Sequence, residues 1–260
     1  MNKTEVLARL KKNGTKATLD GMARYGIEAK VAYGVPMGPL LTLSKQLGKD
    51  QALSLDLWDT GCYEARLLAS LIGDPKEVTL AQMKAWGNSF ENWGDGDTVC
   101  FKLFDQSPFA WQIVKPWARS SREYTKRAGF ALIACLALHD KKARDEKFLE
   151  LLPLIEEAAE DERNFVKKGV NWALRSIGGR GPVLADAALA LSERLAASKN
   201  PAPRWIGTDA LRQLAGRAER AKSRVTAGNA KAKRVQATSK ATRGGAKPST
   251  ARSGARLKKL

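Results

Sequence analysis

The stretch ENWGDGDTVC, residues 91–100, places an aromatic ring beside carboxylates and a thiol. A tryptophan face attracts a cation, and a carboxylate stabilises positive charge or orients a water molecule. In a continuous helix, Trp93, Asp97 and Cys100 would stand at positions i, i+4 and i+7 on one face. Asp97 is therefore the candidate catalytic carboxylate, with Trp93 as its aromatic neighbour.

A structural interpretation of the two acids stays open. Gly94 and Gly96 disfavour a continuous helix, because glycine loses the most backbone freedom on ordering. Asp95 could then cap a helix that begins near Gly96. Asp97 would sit in the first turn of that helix and interact favourably with its dipole.

Trp93 and Cys100 also have structural interpretations. A large aromatic side chain such as Trp93 often packs in a seam between helices. Cys100 is expected to be a small buried hydrophobic residue rather than a nucleophile, since the only histidine, His139, is distant in sequence.

Basic side chains accompany an aromatic residue further along the chain. Lys126 and Arg127 are adjacent, and Lys168 and Arg175 flank Trp172 within about one helical turn on each side. These side chains form a basic face, and the family resemblance given below implies that they contact DNA. A core tryptophan and a solvated or ion-paired arginine are the alternatives.

Helices are expected to position these residues. Apolar residues recur at intervals of three and four, as in amphipathic helices, over 78–93, 121–138, 147–161 and 164–178. Gly and Pro clusters are expected to end helices at 73–75, 95–97, 107–109, 178–182 and 200–203. The sequence predicts an all-α fold of roughly a dozen helices, stacked in antiparallel pairs as an α-solenoid.

The basic charge is concentrated at the C-terminal end. Residues 217–260 hold 14 lysines and arginines against one acid, whereas residues 1–216 hold 31 against 26. This segment has no aromatic residue and too few large aliphatic ones to offset the entropy cost of ordering, so we expect a disordered tail after residue 216. It could be a solubilising extension, or an arm that binds nucleic acid with steep salt dependence.

The remaining composition indicates a cytoplasmic protein. Cys62, Cys100 and Cys135 are odd in number and widely spaced, which argues against a disulfide framework or a zinc site. The first residues lack the apolar core of a signal peptide, and no stretch approaches the ~20 apolar residues of a membrane span. We expect no membrane association and no metal.

Five stretches, in order, resemble the DNA alkylation repair (AlkD-like) glycosylase family, whose fold consists of HEAT-like repeats. The resemblance covers about residues 1–215. The stretches are YGVPMGPLLTLSKQLGKD (33–50), LDLWDTGCYEARLLASLI (55–72), NWGDGDTVC (92–100), REYTKRAGFALIACLALHDKK (122–142) and DERNFVKKGVNWALRSIGGR (161–180).

The resemblance implies a concave basic surface that holds duplex DNA, and excision of purines alkylated at N3 or N7 without flipping the base. Such a base is already cationic and needs no general acid to leave. The protein would stabilise positive charge on the base and on the sugar, with no metal or organic cofactor. We expect it to act on DNA as a monomer in the cytoplasm, where it would associate with the nucleoid.

The family's site residues are only partly matched. Arg127 falls at a DNA-contacting arginine, and Trp172 at one of two lesion-facing tryptophans. The family motif WDxxD aligns with GDTVC, so Gly96 stands at the other tryptophan and Cys100 at the catalytic aspartate. Asp97 would have to replace the missing carboxylate, with Trp93 as the aromatic group one turn away.

Three function classes therefore remain. The chain could be a glycosylase that uses Asp97, a non-catalytic member that binds damaged or branched DNA, or a scaffold whose concave face binds a protein. The direction of the basic side chains would separate the last class from the other two.

Other residues of the matched stretches are expected to be structural. Trp58, Glu64 and Arg66 predict an internal ion pair or a buried carboxylate network. Arg204 and Trp205 are expected to cap the last repeat, with a DNA contact as the alternative.

Overall fold

The computed structural model describes residues 1–216, whose regular secondary structure is helical, with no β-strand among them. The tail predicted over 217–260 lies outside the described residues. The α-helices are α1 (Lys3–Lys12), α2 (Lys16–Arg24), α3 (Met37–Leu47), α4 (Gln51–Trp58), α5 (Tyr63–Ile72), α6 (Leu80–Asn88), α7 (Trp93–Lys102), α8 (Ala110–Ala118), α9 (Glu123–His139), α10 (Asp145–Leu149), α11 (Leu152–Ala158), α12 (Asn164–Ile177) and α13 (Pro182–Ala196), with a final helical stretch over 201–216.

The helices pack in two rows. In the front row, α3, α5, α7, α9 and α12 each contact the next. In the back row, α6, α8, α11 and α13 do the same, and the rows join where α8 packs on α9 and α11 on α12. Every candidate site residue predicted from the sequence lies on α7, α9 or α12, so the front row carries the site.

Helix α9 is the centre of the core. It is apolar on all sides, and its buried residues run almost without interruption from Arg127 to Ala137. A helix that is apolar all round is buried by neighbours on every side, here α7, α8 and α12. Polar side chains of α9 that point toward α7 or α12 are therefore held in place by close packing.

Two of the predicted helices end earlier than the periodicity indicated. The helix predicted over 78–93 stops at Asn88, and α7 starts separately at Trp93. The helix predicted over 147–161 is two short helices, because Pro153 lies in the first turn of α11 and lacks the N–H that a continuous helix requires. The all-α prediction itself is confirmed.

Candidate functional site

Helix α7 is continuous through its two glycines, so the expected helix start near Gly96 is wrong. The cap is Asn92, whose side chain accepts hydrogen bonds from the backbone N–H groups of Gly94 (2.8 Å) and Asp95 (3.1 Å). A Cβ at Gly94 would lie 2.5 Å from the hydroxyl of Tyr63. Glycine is required there because α5 approaches closely, and packing outweighs its poor helix propensity.

Asp95 is a buried ion-pair partner rather than a cap. Its carboxylate lies 3.3 Å from the Arg66 guanidinium and accepts the backbone N–H of Glu91 at 3.2 Å. Burial raises the pKa of the Asp95 carboxyl to about 6, against the lowering effect of that N–H and of Arg66. This acid lies in the junction of α5 and α7 and is buried away from solvent.

Asp97 is held by Arg127. The guanidinium donates from Nε to Oδ1 at 3.0 Å and from Nη2 to Oδ2 at 2.8 Å, while Nη1 donates to the carbonyl of Phe165 at 2.8 Å. The Arg127 side chain is 9% exposed and that of Asp97 17%. Burial raises the pKa of the Asp97 carboxyl, and the charge of Arg127 opposes that rise. Such a fork-to-fork pair is geometrically specific and strong.

Trp93 supports this pair from the start of α7. The guanidinium carbon of Arg127 lies 5.5 Å from the centroid of the Trp93 ring, within cation–π range. The indole N–H donates to the carbonyl of Tyr25 at 3.0 Å. Trp93 thus contacts the arginine and the end of α2, and it is not among the residues that line the cavity described next.

A cavity of about 280 Å³ lies against the exposed side of α7, between α3 and α12. Asp97 and Trp172 both line it, so two of the predicted site residues meet there. The sequence analysis did not identify the other lining residues, which are Met37, Leu41, Thr98, Phe101 and Lys102. Met37 and Leu41 have the i, i+4 spacing of core residues, so their spacing gave no sign that they face solvent.

The remaining predicted DNA-binding residues have different surroundings. Lys126 pairs with Asp161 at 2.9 Å. Arg163 and Lys126 together hold the pKa of the Asp161 carboxyl well below its usual range. Lys168 is exposed. Arg175 is partly buried, donates to the carbonyl of Asn171 at 3.4 Å, and has further interactions.

Positions 96 and 100, which the resemblance aligns with the family's second tryptophan and catalytic aspartate, are both buried. Cys100 is fully buried, with its sulfur 3.5 Å from the carbonyl oxygen of Ala128, and burial raises the pKa of its thiol well above the usual value. A Cβ at Gly96 would already be in van der Waals contact with Ala128 and Phe90. The prediction that Cys100 is a small buried residue is confirmed.

The structural roles predicted for the α4–α5 region are also confirmed. Glu64 is fully buried and accepts the backbone N–H groups of Tyr33, Gly34 and Val35 at 2.9, 2.6 and 3.2 Å. Arg66 lies 5.2 Å from the Trp58 ring centroid as well as beside Asp95.

Within residues 1–216, the structure has no group of three or more His, Cys, Asp or Glu side chains that could hold a metal ion. In the same range, no helix has the length and apolar character to cross a membrane.

Trp205 is 40% exposed, and the Lys167 ammonium lies 5.0 Å from its ring centroid.

Comparison with known proteins identifies the family. The sequence model described as DNA alkylation repair enzyme matches residues 6–214. The chain belongs to the DNA alkylation repair enzyme family. A comparison with curated proteins finds no match.

The fold of this chain is similar to that of a solved structure. The solved protein belongs to a family of proteins related to the HEAT-like repeat DNA glycosylases with affinity for branched DNA structures. The two chains superpose with a TM-score of 0.67 at 21% identity, over 74% of this chain and 83% of that one. The helical rows are therefore a HEAT-like repeat fold, as the sequence predicted.

Proposed function

We propose that the protein binds DNA through the front-row face of α7, α9 and α12, without excising bases. The observation that carries this proposal is the Arg127–Asp97 pair, whose carboxylate lines a cavity together with Trp172. The resemblance assigns Arg127 and Trp172 to the DNA side, while the charge of Asp97 is neutralised by the arginine.

The neutralised carboxylate is a poor catalyst for this reaction. A departing alkylated purine and its sugar carry positive charge, which a free carboxylate stabilises. Both oxygens of Asp97 instead accept hydrogen bonds from a guanidinium, so the pair has no net charge to offer a cation. Cys100 cannot substitute, because it is fully buried.

Three sets of basic residues are proposed to contact phosphates. Lys102 lines the cavity, Lys168 is exposed one turn before Trp172 on α12, and the basic charge of residues 217–260 would add a non-specific, salt-sensitive contribution. Since the solved relative belongs to a family with affinity for branched DNA structures, we propose branched DNA as a substrate in addition to duplex.

Excision is the second candidate, and the shared cavity of Asp97 and Trp172 favours it. If a DNA phosphate drew Arg127 away from Asp97, the carboxylate would face a base held against Trp172. Hydrolysis of the N-glycosidic bond of a cationic N3- or N7-alkylated purine would then need no metal or cofactor.

Binding and base release measured together separate the candidates. The full-length protein is titrated with duplex and with a four-way junction across a salt series, and is then incubated with duplex containing N7-methylguanine. Our proposal requires that the protein binds DNA and that N7-methylguanine is released only at the spontaneous rate. Release that is faster, and that Asp97→Asn abolishes, would establish the glycosylase instead.

A matched pair of variants tests the binding face. Lys168→Ala on α12 should weaken binding to both DNAs by about two- to fivefold. It should also reduce the slope of log affinity against log salt concentration by about one, the equivalent of one lost phosphate contact. Lys84→Ala, which removes an exposed lysine from α6 of the back row, should change neither value. Failure of the wild-type protein to bind either DNA at low salt would refute the DNA-binding function.

A further inference from the structure

The cavity beside Asp97 has an apolar wall on a surface that would otherwise suit phosphates. Met37 and Leu41 on α3 are 44% and 38% exposed, and Phe101 and Trp172 complete the wall. Phosphates are bound by charged and polar groups, so exposed methionine and leucine side chains add nothing to backbone binding. They do favour the flat, poorly solvated face of a nucleobase.

The dimensions of the cavity limit what enters it. At about 280 Å³ it lies just below the size range of small-molecule sites, which runs from roughly 300 to 1,000 Å³. That space holds one planar heterocycle with Trp172 as a stacking wall. A base pair within a stacked duplex would not enter, so the occupant must be a base that has left the stack.

The polar end of the cavity suits a neutral base. Each oxygen of Asp97 accepts a hydrogen bond from Arg127 and retains a further lone pair, which can accept from an amino group on the edge of a base. Thr98 adds a hydroxyl that can donate or accept. Because Arg127 cancels the charge of Asp97, the site does not require a cationic, alkylated base.

We infer that the cavity lined by Met37, Leu41, Asp97, Phe101 and Trp172 takes one unpaired, unmodified DNA base, as found at a bulge or a branch point. This inference rests on the proposed DNA-binding function and gives it a reason to prefer branched DNA over duplex. The base stacks on Trp172, while basic residues around the cavity hold the phosphates on either side.

The test removes the base and leaves the backbone in place. Affinity of the full-length protein is measured for a duplex with a single-nucleotide bulge and for the same duplex with a tetrahydrofuran abasic residue in the bulge. We expect the bulge with the base to bind about tenfold more tightly, the size of effect that stacking of one base on an aromatic side chain produces.

Two pairs of variants locate the preference. Trp172→Leu should reduce the base-to-abasic affinity ratio to near one, and Trp205→Leu, which alters an exposed tryptophan outside the cavity, should leave it at about ten. Should Trp172→Leu fold poorly, Leu41→Ala serves instead. Its control is Leu55→Ala on α4, where the leucine is 39% exposed and does not line the cavity.

The outcomes distinguish failure of the base-binding inference from failure of the proposed DNA-binding function. Equal affinity for the two bulges, in a protein that binds duplex and junction, would overturn the base pocket and leave DNA binding intact. A tenfold ratio that Trp172→Leu and Leu41→Ala both preserve would also overturn it, because the base would then be held elsewhere. Absence of binding to any of these DNAs would overturn both proposals.

Discussion

Arg127 on α9 binds both carboxylate oxygens of Asp97 on α7, at 3.0 and 2.8 Å. The pair joins two residues that are 30 positions apart in the chain and fixes the direction of both side chains. Trp93 contacts the guanidinium from one side, and the Phe165 carbonyl accepts from its third nitrogen. Three of the N–H groups of Arg127 are thus held by acceptors within the protein.

Asp97→Asn should lower the free energy of unfolding. The arginine would remain in a buried position with one weaker acceptor, and removing one partner of a largely buried pair typically costs about 1–3 kcal/mol where some solvent access remains. Urea denaturation at neutral pH measures the change. Combining Asp97→Asn with Arg127→Met should cost less than the sum of the two single changes, because the pair acts as a unit.

An exposed ion pair provides the control for that measurement. Lys16 and Asp20 are 3.1 Å apart with side chains 88% and 57% exposed, so Asp20→Asn should change stability by less than about 0.5 kcal/mol. A loss of similar size for Asp20→Asn and Asp97→Asn would show that the Arg127 pair contributes nothing beyond an ordinary surface contact.

The helical architecture was predictable because periodicity reports burial. The apolar spacing over 121–138 and 164–178 predicts α9 and α12 to within two residues at each end. The start of α7 was not predictable in the same way. Gly94 and Gly96 argue against a helix by propensity, and the contact of Gly94 with Tyr63 that overrides propensity is a tertiary feature absent from any local pattern.

The sequence identified part of the residues at the candidate site and did not predict their arrangement. Asp97, Arg127 and Trp172 were identified from their types and from the family resemblance. That Arg127 would bind Asp97, and that the apolar side chains of Met37 and Leu41 would face the same cavity, depends on how α3, α9 and α12 approach α7. Helix-to-helix geometry of this kind is set by packing over the whole row.

The stability of the protein should depend on pH through Asp95. Burial raises the pKa of the Asp95 carboxyl to about 6, whereas the pKa of an aspartate in the unfolded chain is about 3.9. Between these values the folded state holds more protons than the unfolded state, so stability falls as pH rises from about 4 to 6, by on the order of 3 kcal/mol in total. Chemical denaturation at half-unit pH steps should show a shallower decline for Asp95→Asn than for the wild type. Identical slopes would contradict the assigned pKa.

Glu64 should be among the most sensitive positions for folding. Its carboxylate accepts three backbone N–H groups of the loop before α3, so Glu64→Ala would leave buried donors without partners at a cost of about 3 kcal/mol or more. Glu64→Gln keeps one acceptor oxygen and should lose about half as much. Thermal unfolding ranks the two, with exposed Glu77→Ala expected to match the wild type within about 0.5 kcal/mol. An unaltered melting temperature in Glu64→Ala would refute the network.

An aspartate at position 100, where the family resemblance implies the catalytic acid, should destabilise the protein rather than create a glycosylase. Cys100 is fully buried beside the Ala128 carbonyl oxygen, so Cys100→Asp would place a carboxylate where no donor meets it, at a cost of about 3 kcal/mol or more at pH 7.

Burial would raise the pKa of the carboxyl that Cys100→Asp introduces, so the penalty should shrink as pH falls and the acid is protonated in the folded state. Urea denaturation at pH 7 and pH 5 tests this, with Cys100→Ser as the uncharged control of similar size. Base release from N7-methylguanine duplex should stay at the spontaneous rate, because a side chain buried at this position does not reach the cavity that Trp172 lines. A Cys100→Asp protein as stable as the wild type, with rapid base release, would mean that α7 can turn this position toward DNA.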